Sequence, residues 1–357
     1  MFEVRKFVIF ALALLAFAPA ARASSFAQFG VQDDAWLMYG PGTLDQRVGT
    51  LERLGTQVVR LSIRWDQVAP SRPADERRPA DPAYRWAQYG TVLDALHAAK
   101  IPVVVTLWAS PRWANGGRAF NALPSRGFGN FAFAAARRFP WIRQWTAWNE
   151  PNTRVFSVPV SPRFYTQRVL MPAYAALHQV NHANKVAGGV TSPRRTPSGM
   201  SPLAFMQGMR AAHAKLDAYA QNPYPASGRE TPFVDPCSWC GTFGLAHLPQ
   251  IRADVSRYFG AAKPLWLTEY GYQTSPPDRV LGVSPALQAA YVGQAALRVY
   301  RQAGVTMLIH FIVRDEPELA GWQSGLLRPD WSAKPAFTSF AAAIAAARAG
   351  TVACGVH

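Results

Sequence analysis

Short runs of apolar and β-branched residues alternate with longer amphipathic stretches along almost the whole chain. The short runs have the length of buried strands, and the longer stretches repeat their apolar positions with the period of a helix. The predicted strands are Phe26–Gln32, Val58–Trp65, Pro102–Trp108, Ile142–Trp148, Lys185–Thr191, Leu216–Gln221, Pro264–Tyr270 and Val305–Val313. The predicted helices are Leu44–Leu54, Ala83–Ala99, Phe131–Phe139, Phe164–Asn184, Pro202–Lys215, Leu248–Phe259, Pro285–Ala303 and Pro335–Ala347.

Eight strands alternating with eight helices predict an α/β protein built as a single (β/α)8 TIM barrel. An open, doubly wound sheet is the alternative, but no glycine-rich phosphate-binding fingerprint follows the first strand. Four Pro-rich patches each fall between a strand and the next helix, where a barrel carries its catalytic loops. They are Pro70–Pro82, Ser192–Pro202, Pro223–Pro236 and Ser275–Pro285. No linker divides the chain, so residues 24–357 are predicted to form one domain.

The N-terminus has the pattern of a secretory signal peptide. Arg5 and Lys6 precede an almost purely apolar run, Phe7–Ala18, and Ala21-Arg22-Ala23 supplies the small-x-small pattern of a cleavage site. Residues 1–23 are therefore predicted to be removed. The apolar run is short for a membrane span, and a retained N-terminal anchor is the alternative. We expect the mature protein to be secreted, to the cell envelope or beyond it, with no membrane contact after cleavage.

The formal net charge of +16 at pH 7 favours anionic partners. The basic residues are scattered, however, with only Arg77-Arg78, Arg137-Arg138 and Arg194-Arg195 as pairs, and no nucleic-acid-binding module is recognisable. We therefore do not expect nucleic acid as a partner. Acidic envelope polymers or acidic glycans suit the charge better. The chain is expected to act as a monomer.

The three cysteines allow one internal disulfide in an exported protein. Cys237 and Cys240 form a C-x-x-C pair on a predicted loop and are the first choice, although the ring is tight; either one paired with Cys354 is the alternative. A zinc site needs about four ligands, and only His247 lies near in sequence. Neither a metal nor a cofactor is predicted.

Two glutamates end predicted strands on opposite sides of the barrel. Glu150 lies in W-N-E-P-N at the end of the fourth strand, and Glu269 lies in L-T-E-Y-G on the seventh. The carboxyl ends of the strands form the face that carries active sites in this fold. Cleavage of a glycosidic bond needs two carboxyl groups flanking that bond, one to protonate the leaving oxygen and one to attack the sugar or activate water. The two motifs therefore indicate a glycosidase site.

The pair of motifs resembles that of the retaining glycoside hydrolases of clan A, such as families 5 and 39, over nearly all of residues 26–347. The resemblance implies that Glu150 is the general acid/base, that Glu269 is the nucleophile and that Asn149 binds the sugar 2-hydroxyl. It also implies that Arg60, on the second strand, pairs with the nucleophile and holds it ionised, and that Tyr224, after the sixth strand, hydrogen-bonds to it. The segment Leu107–Ala114 is similar to the strand-three loop of family 39 enzymes.

The sequence departs from the clan pattern at two positions. Asn222 stands near Tyr224 where a histidine is often found, and the eighth strand lacks the tryptophan that many members place beneath the substrate. Trp322, on the following loop, is the candidate replacement. His310, inside the eighth strand, is interpreted as a packed core residue.

Several tryptophans map to strand ends or to the loops beyond them, where flat apolar sugar faces stack on aromatic rings. Trp108, Trp113 and Trp322 are the predicted substrate-binding aromatics, and Trp239 is a further loop candidate. Core packing is the alternative for each of them.

The favoured function is hydrolysis of O-glycosyl bonds in a polysaccharide, oligosaccharide or glycoconjugate by double displacement. The alternative is a non-catalytic carbohydrate-binding barrel, which would need neither glutamate. An esterase on another α/β fold would require a G-x-S-x-G elbow, which the chain lacks.

Overall fold

The computed structural model describes residues 27–236, 242–318 and 320–351. Eight parallel strands close into a barrel in which each strand pairs with the next along the chain and β8 pairs with β1. The strands are β1 Gln28–Gln32, β2 Val58–Arg64, β3 Val103–Trp108, β4 Gln144–Ala147, β5 Lys185–Thr191, β6 Ala218–Gln221, β7 Leu265–Tyr270 and β8 Val305–Phe311. The predicted (β/α)8 fold is therefore confirmed.

The helices surround the barrel, and the longer ones follow the predicted order. They are α1 Asp34–Tyr39, α2 Leu44–Arg53, α3 Trp65–Val68, α4 Ala87–Ala98, α5 Arg112–Asn115, α6 Phe128–Arg138, α7 Pro162–Tyr165, α8 Met171–Val180, α9 Pro202–Ala211, α10 Leu248–Phe259, α11 Pro285–Tyr300 and α12 Pro335–Ala349. A π-helical segment, Thr166–Leu170, joins α7 to α8, and a 3₁₀ turn, Leu245–His247, precedes α10.

Serine followed by proline begins three of these helices. Ser161, Ser201 and Ser284 each accept a hydrogen bond from a backbone N–H of the first helical turn, and a proline follows each of them. The serine satisfies one of the free N–H groups at the helix start, and the proline ring already has helical φ. The local sequence therefore fixes where the chain turns from loop into helix.

The buried apolar side chains form two clusters, as the alternation of side chains along a strand requires. One cluster consists only of strand residues, including Val58, Val104 and Met307, and fills the barrel interior. The other joins the outer strand faces to the helices. The next inward-facing residues, two positions after Val58 and Val104, are the polar Arg60 and Thr106. The barrel is thus apolar at its base and polar beneath its mouth.

The backbone bends sharply where strands reach the mouth. Positive φ angles occur at Ala109 after β3, Trp148 and Glu150 after β4, Val190 within β5 and Ile312 after β8. Side chains other than glycine adopt this region at a cost of about 1–3 kcal/mol each, and such residues cluster at functional sites. The bends concentrate strained backbone on the face where the two glutamates lie.

The predicted elements differ from the observed ones mainly at their ends. The Phe164–Asn184 prediction corresponds to α7, the π segment and α8, in which Pro172 has no N–H to continue a regular ladder. The predicted signal peptide and all three cysteines lie outside the described residues. Within the described ranges, no helix is both long enough and apolar enough to span a membrane.

Candidate active site

A cavity of about 520 Å³ opens at the carboxyl ends of the strands. This volume is typical of a small-molecule site. Five of the predicted site residues line it together with Trp322: Asn149, Glu150, Tyr224, Glu269 and Trp108. The structure therefore brings both glutamates and most of their predicted neighbours to one place.

Glu269 is the second-last residue of β7 and is held by two predicted partners. The Arg60 guanidinium forms a salt bridge with its carboxylate, and the Tyr224 hydroxyl donates to Oε2 at 3.1 Å. Arg60 is fully buried, and its Nε donates to Thr106 Oγ1 at 2.8 Å. A buried guanidinium needs a nearby negative charge to offset its desolvation. This arrangement holds the Glu269 carboxylate in one orientation beside a cation.

Tyr224 is a neutral hydrogen-bond donor in this site. Burial, and then the negative charges of Glu269 and Glu150, raise the pKa of Tyr224 well above its usual value. Its hydroxyl therefore stays protonated at neutral pH and acts as a donor to Glu269.

Glu150 has different surroundings. Its backbone N–H donates to the Val190 carbonyl at 2.9 Å, and its Oε1 accepts from Asn222 Nδ2 at 3.1 Å. Burial, and next the charge of Glu269, raise the pKa of Glu150 to about 7. One carboxyl group is thus paired with a cation, while the other keeps a proton up to neutral pH. Two carboxyl groups in such different surroundings are suited to different roles in one reaction.

Asn222, noted above as a departure from the clan pattern, is a functional neighbour of Glu150. Thr268 Oγ1 donates to Asn222 Oδ1 at 2.7 Å, which turns the Asn222 amide N–H₂ toward Glu150. Sequence alone identified the position but gave no sign of this contact.

Asn149 lines the cavity with its amide nitrogen available. Its Oδ1 accepts from Arg60 Nη2 at 3.0 Å, so the carbonyl end of the side chain is occupied. The two amide N–H groups remain as donors for a ligand hydroxyl.

Two of the predicted aromatic residues form walls of the cavity. Trp108 lies beside Phe156, with ring centroids 5.9 Å apart. Trp322 lies 5.2 Å from the Tyr224 ring and is 37% exposed. A partly exposed ring beside the two glutamates suits the apolar face of a sugar.

Trp113 is a correction, because it does not line the cavity. Its Nε1 donates to the Ala69 carbonyl at 2.8 Å, and its ring packs edge-on against Trp65 at 5.2 Å. The short helix α5 begins at Arg112 and directs this ring toward the core instead of the mouth. Trp239 lies outside the described residues.

His310 is fully buried, as its interpretation as a core residue requires, and its Nε2 contacts the Ser324 carbonyl at 2.8 Å. Burial lowers the pKa of His310 to about 4, so it is neutral.

Asp33 caps α1 by accepting from the Trp36 N–H. Asp34 lines the cavity and accepts from the Ser62 N–H at 3.0 Å. In the described part of the chain, no group of three or more His, Cys, Asp or Glu residues could hold a metal ion.

No family model matches the sequence, and no curated protein matches it. Solved structures do. A family 39 glycoside hydrolase from Bacteroides cellulosilyticus is 18% identical with a TM-score of 0.67, and the match covers 90% of this chain and 64% of that one. A family 39 β-xylosidase from Caulobacter crescentus is 18% identical with a TM-score of 0.63, covering 91% and 72%. A β-glucosidase from Pyrococcus furiosus is 14% identical with a TM-score of 0.62, covering 90% and 95%.

These likenesses establish the fold. This chain shares the (β/α)8 fold of those proteins, and the match spans slightly less than two thirds of the Bacteroides protein. At these identities the likeness shows only the fold, so an activity has to be argued from the residues at the barrel mouth.

Proposed function

We propose that this protein is a retaining glycosidase of the clan A type, hydrolysing O-glycosyl bonds of a poly- or oligosaccharide. One observation carries the proposal: two glutamates from β4 and β7 share one cavity, and their surroundings differ as acid and nucleophile require. The glycosidase names of the structural neighbours agree with it. A barrel that only binds carbohydrate would have no use for this difference.

The proposed reaction has two steps. Glu269 attacks the anomeric carbon while Glu150 gives its proton to the leaving oxygen, forming a covalent glycosyl-enzyme. Glu150, now ionised, removes a proton from water, which then displaces Glu269. Tyr224 and Arg60 orient Glu269, and the Asn149 amide is placed to bind the sugar 2-hydroxyl. We also propose export of the chain, on the sequence pattern of its first 23 residues.

The stereochemistry of the first product tests the double displacement. Two successive displacements at one carbon restore the starting configuration, so the sugar released first should keep the anomeric configuration of the substrate. Proton NMR in the first minutes of hydrolysis, before mutarotation, measures this directly. A first product of the opposite configuration would exclude the covalent step and leave a single displacement by water.

The pH dependence tests the assignment of Glu150. Its pKa is raised to about 7, so the proton it must donate is present below that pH and is lost above it. We expect kcat/KM on unactivated substrates to fall about tenfold for each pH unit above 7, since this parameter reports the free enzyme. On a 2,4-dinitrophenyl glycoside, whose leaving group needs no protonation, this alkaline decrease should be absent in the wild type. A decrease that persists at the same pH would place the titrating group elsewhere.

A further inference from the structure

The charges around the mouth of the barrel are unevenly distributed. The loops after β3, β4 and β5 span residues 109–127, 148–161 and 192–201, and Glu150 is their only acidic residue. Their basic residues are Arg112, Arg118, Arg126, Arg154, Arg194 and Arg195. We call these three loops the basic sector. The loops after β7 and β8 mix both signs, and the segment after β1 carries only acidic residues; Asp34 and Glu316 line the cavity. A cavity edge with one sign of charge attracts ligands of the opposite sign.

Arg194 is the one arginine of the basic sector that lines the cavity. Its Nη2 donates to the Tyr224 carbonyl at 2.7 Å, which holds the guanidinium in place. Its Nε is buried, and no acceptor among the described residues contacts it. That atom is closed off from the cavity, whereas Nη1 is accessible and forms no hydrogen bond with any described residue, so Nη1 is the group open to a ligand.

No carboxylate of the described residues forms an ion pair with Arg194; Glu230, Asp235 and Glu150 act on its charge only from a distance. The Nη1 and Nη2 end of a guanidinium suits a planar carboxylate, which accepts two parallel hydrogen bonds. The missing partner of Arg194 is therefore best supplied by a ligand that carries a carboxylate.

The position of Arg194 indicates which part of a ligand would meet it. Arg194 follows β5 by three residues, and the β5 residue Val190 accepts from the Glu150 N–H at 2.9 Å, whereas Arg60 is the cation that contacts Glu269. Under the proposed function, Glu150 protonates the leaving oxygen, so Arg194 lies on the leaving-group side of the scissile bond. We propose that the substrate is an acidic glycan and that Arg194 binds the carboxylate of a uronic acid residue on that side. This inference rests on the proposed function.

A second hollow continues the basic sector beyond the cavity. It is lined by Arg112, Arg118 and Phe120 among others, and Trp108 on the cavity side lies 6.1 Å from the Phe120 ring. Asp66 also lines it, and its charge is paired with Arg64 at 2.7 Å. The Arg64 guanidinium lies over both rings, 5.0 Å from Trp108 and 4.8 Å from Phe120. A chain of sugars leaving the cavity past Trp108 would therefore meet two more exposed arginines, as an acidic polymer requires.

The test compares Arg194→Gln with Arg195→Gln, which removes the same charge from the adjacent, exposed residue. Binding of polygalacturonate, alginate and hyaluronate to the full chain is measured, and each polymer is compared with its carboxyl-reduced form. Salt at about 0.15 M screens long-range electrostatic attraction. We expect wild type to bind at least one polymer tenfold or more tightly than its reduced form. Arg194→Gln should lose at least tenfold of that preference, and Arg195→Gln should change it less than twofold. Arg194→Lys, which keeps the charge without the planar fork, should keep part of it.

No preference for any carboxylated polymer in wild type would overturn the inference. Equal losses in Arg194→Gln and Arg195→Gln would also overturn it, because the effect would then come from diffuse charge. Hydrolysis of glycans, measured in parallel, separates the two proposals. Hydrolysis without a carboxylate preference refutes this inference alone, and a preference that depends on Arg194 without any hydrolysis refutes the proposed function alone.

Discussion

Glu269→Gln is expected to lower kcat/KM by about 10⁴-fold or more, a loss of about 5 kcal/mol of transition-state stabilisation. An amide of nearly the same shape still accepts a hydrogen bond from Tyr224, but it cannot attack the anomeric carbon. The glycosyl-enzyme then cannot form, and water must react in a cavity whose only other catalytic carboxyl group is a protonated acid. Rates on an activated aryl glycoside measure the loss.

The same change should affect stability, because the buried Arg60 loses its carboxylate. Removal of one partner of a buried ion pair typically costs about 3–5 kcal/mol, and the retained amide oxygen should reduce that loss. Denaturant unfolding of both proteins tests this. Glu52→Gln, an exposed carboxylate on α2, is the matched control and should leave both activity and stability unchanged. Retention of a tenth of wild-type activity by Glu269→Gln would refute its role as nucleophile.

The bounds of the predicted elements are accurate where residues that start or stop an element mark its ends. The predictions for α10, Leu248–Phe259, and for β5, Lys185–Thr191, match the observed bounds. Helix α10 begins beside Pro249 and ends at Gly260, so both ends carry a strong signal. The helices α3 and α5 were not predicted, because four residues are too few to show a helical period.

The candidate site was predictable where a strand end fixes a side chain. Glu150, Glu269 and Arg60 lie on strands or directly after them, and parallel strands bring their carboxyl ends together. Trp113 does not line the cavity as predicted. A loop aromatic residue that faces the core has the same sequence pattern as one that faces a ligand, so the sequence could not distinguish the two. The contact of Asn222 with Glu150 and the position of the Arg194 guanidinium at the cavity depend on loop geometry, which no local pattern encodes.

Glu150→Gln is expected to lower kcat/KM on unactivated sugars by about 10²–10⁴-fold, the usual contribution of a general acid. The amide can still accept the Asn222 hydrogen bond, so the site keeps its shape while the proton is lost. The loss should be much smaller on 2,4-dinitrophenyl glycosides, because their leaving group needs no protonation. Their glycosyl-enzyme should then accumulate, since no base activates water, and a burst of dinitrophenol measured by stopped-flow would report it.

Azide separates the roles of the two glutamates, because it attacks without a general base. In Glu150→Ala, azide should displace Glu269 from the glycosyl-enzyme and give a glycosyl azide with the configuration of the substrate. In Glu269→Ala, azide should occupy the place of the missing carboxylate, attack the substrate directly and give the opposite configuration. NMR of the two azide products decides between the assignments. Each configuration follows from the face that azide attacks, so the reverse result would exchange the roles of Glu150 and Glu269. If neither variant gave an azide product, that result would argue against a covalent intermediate on this barrel.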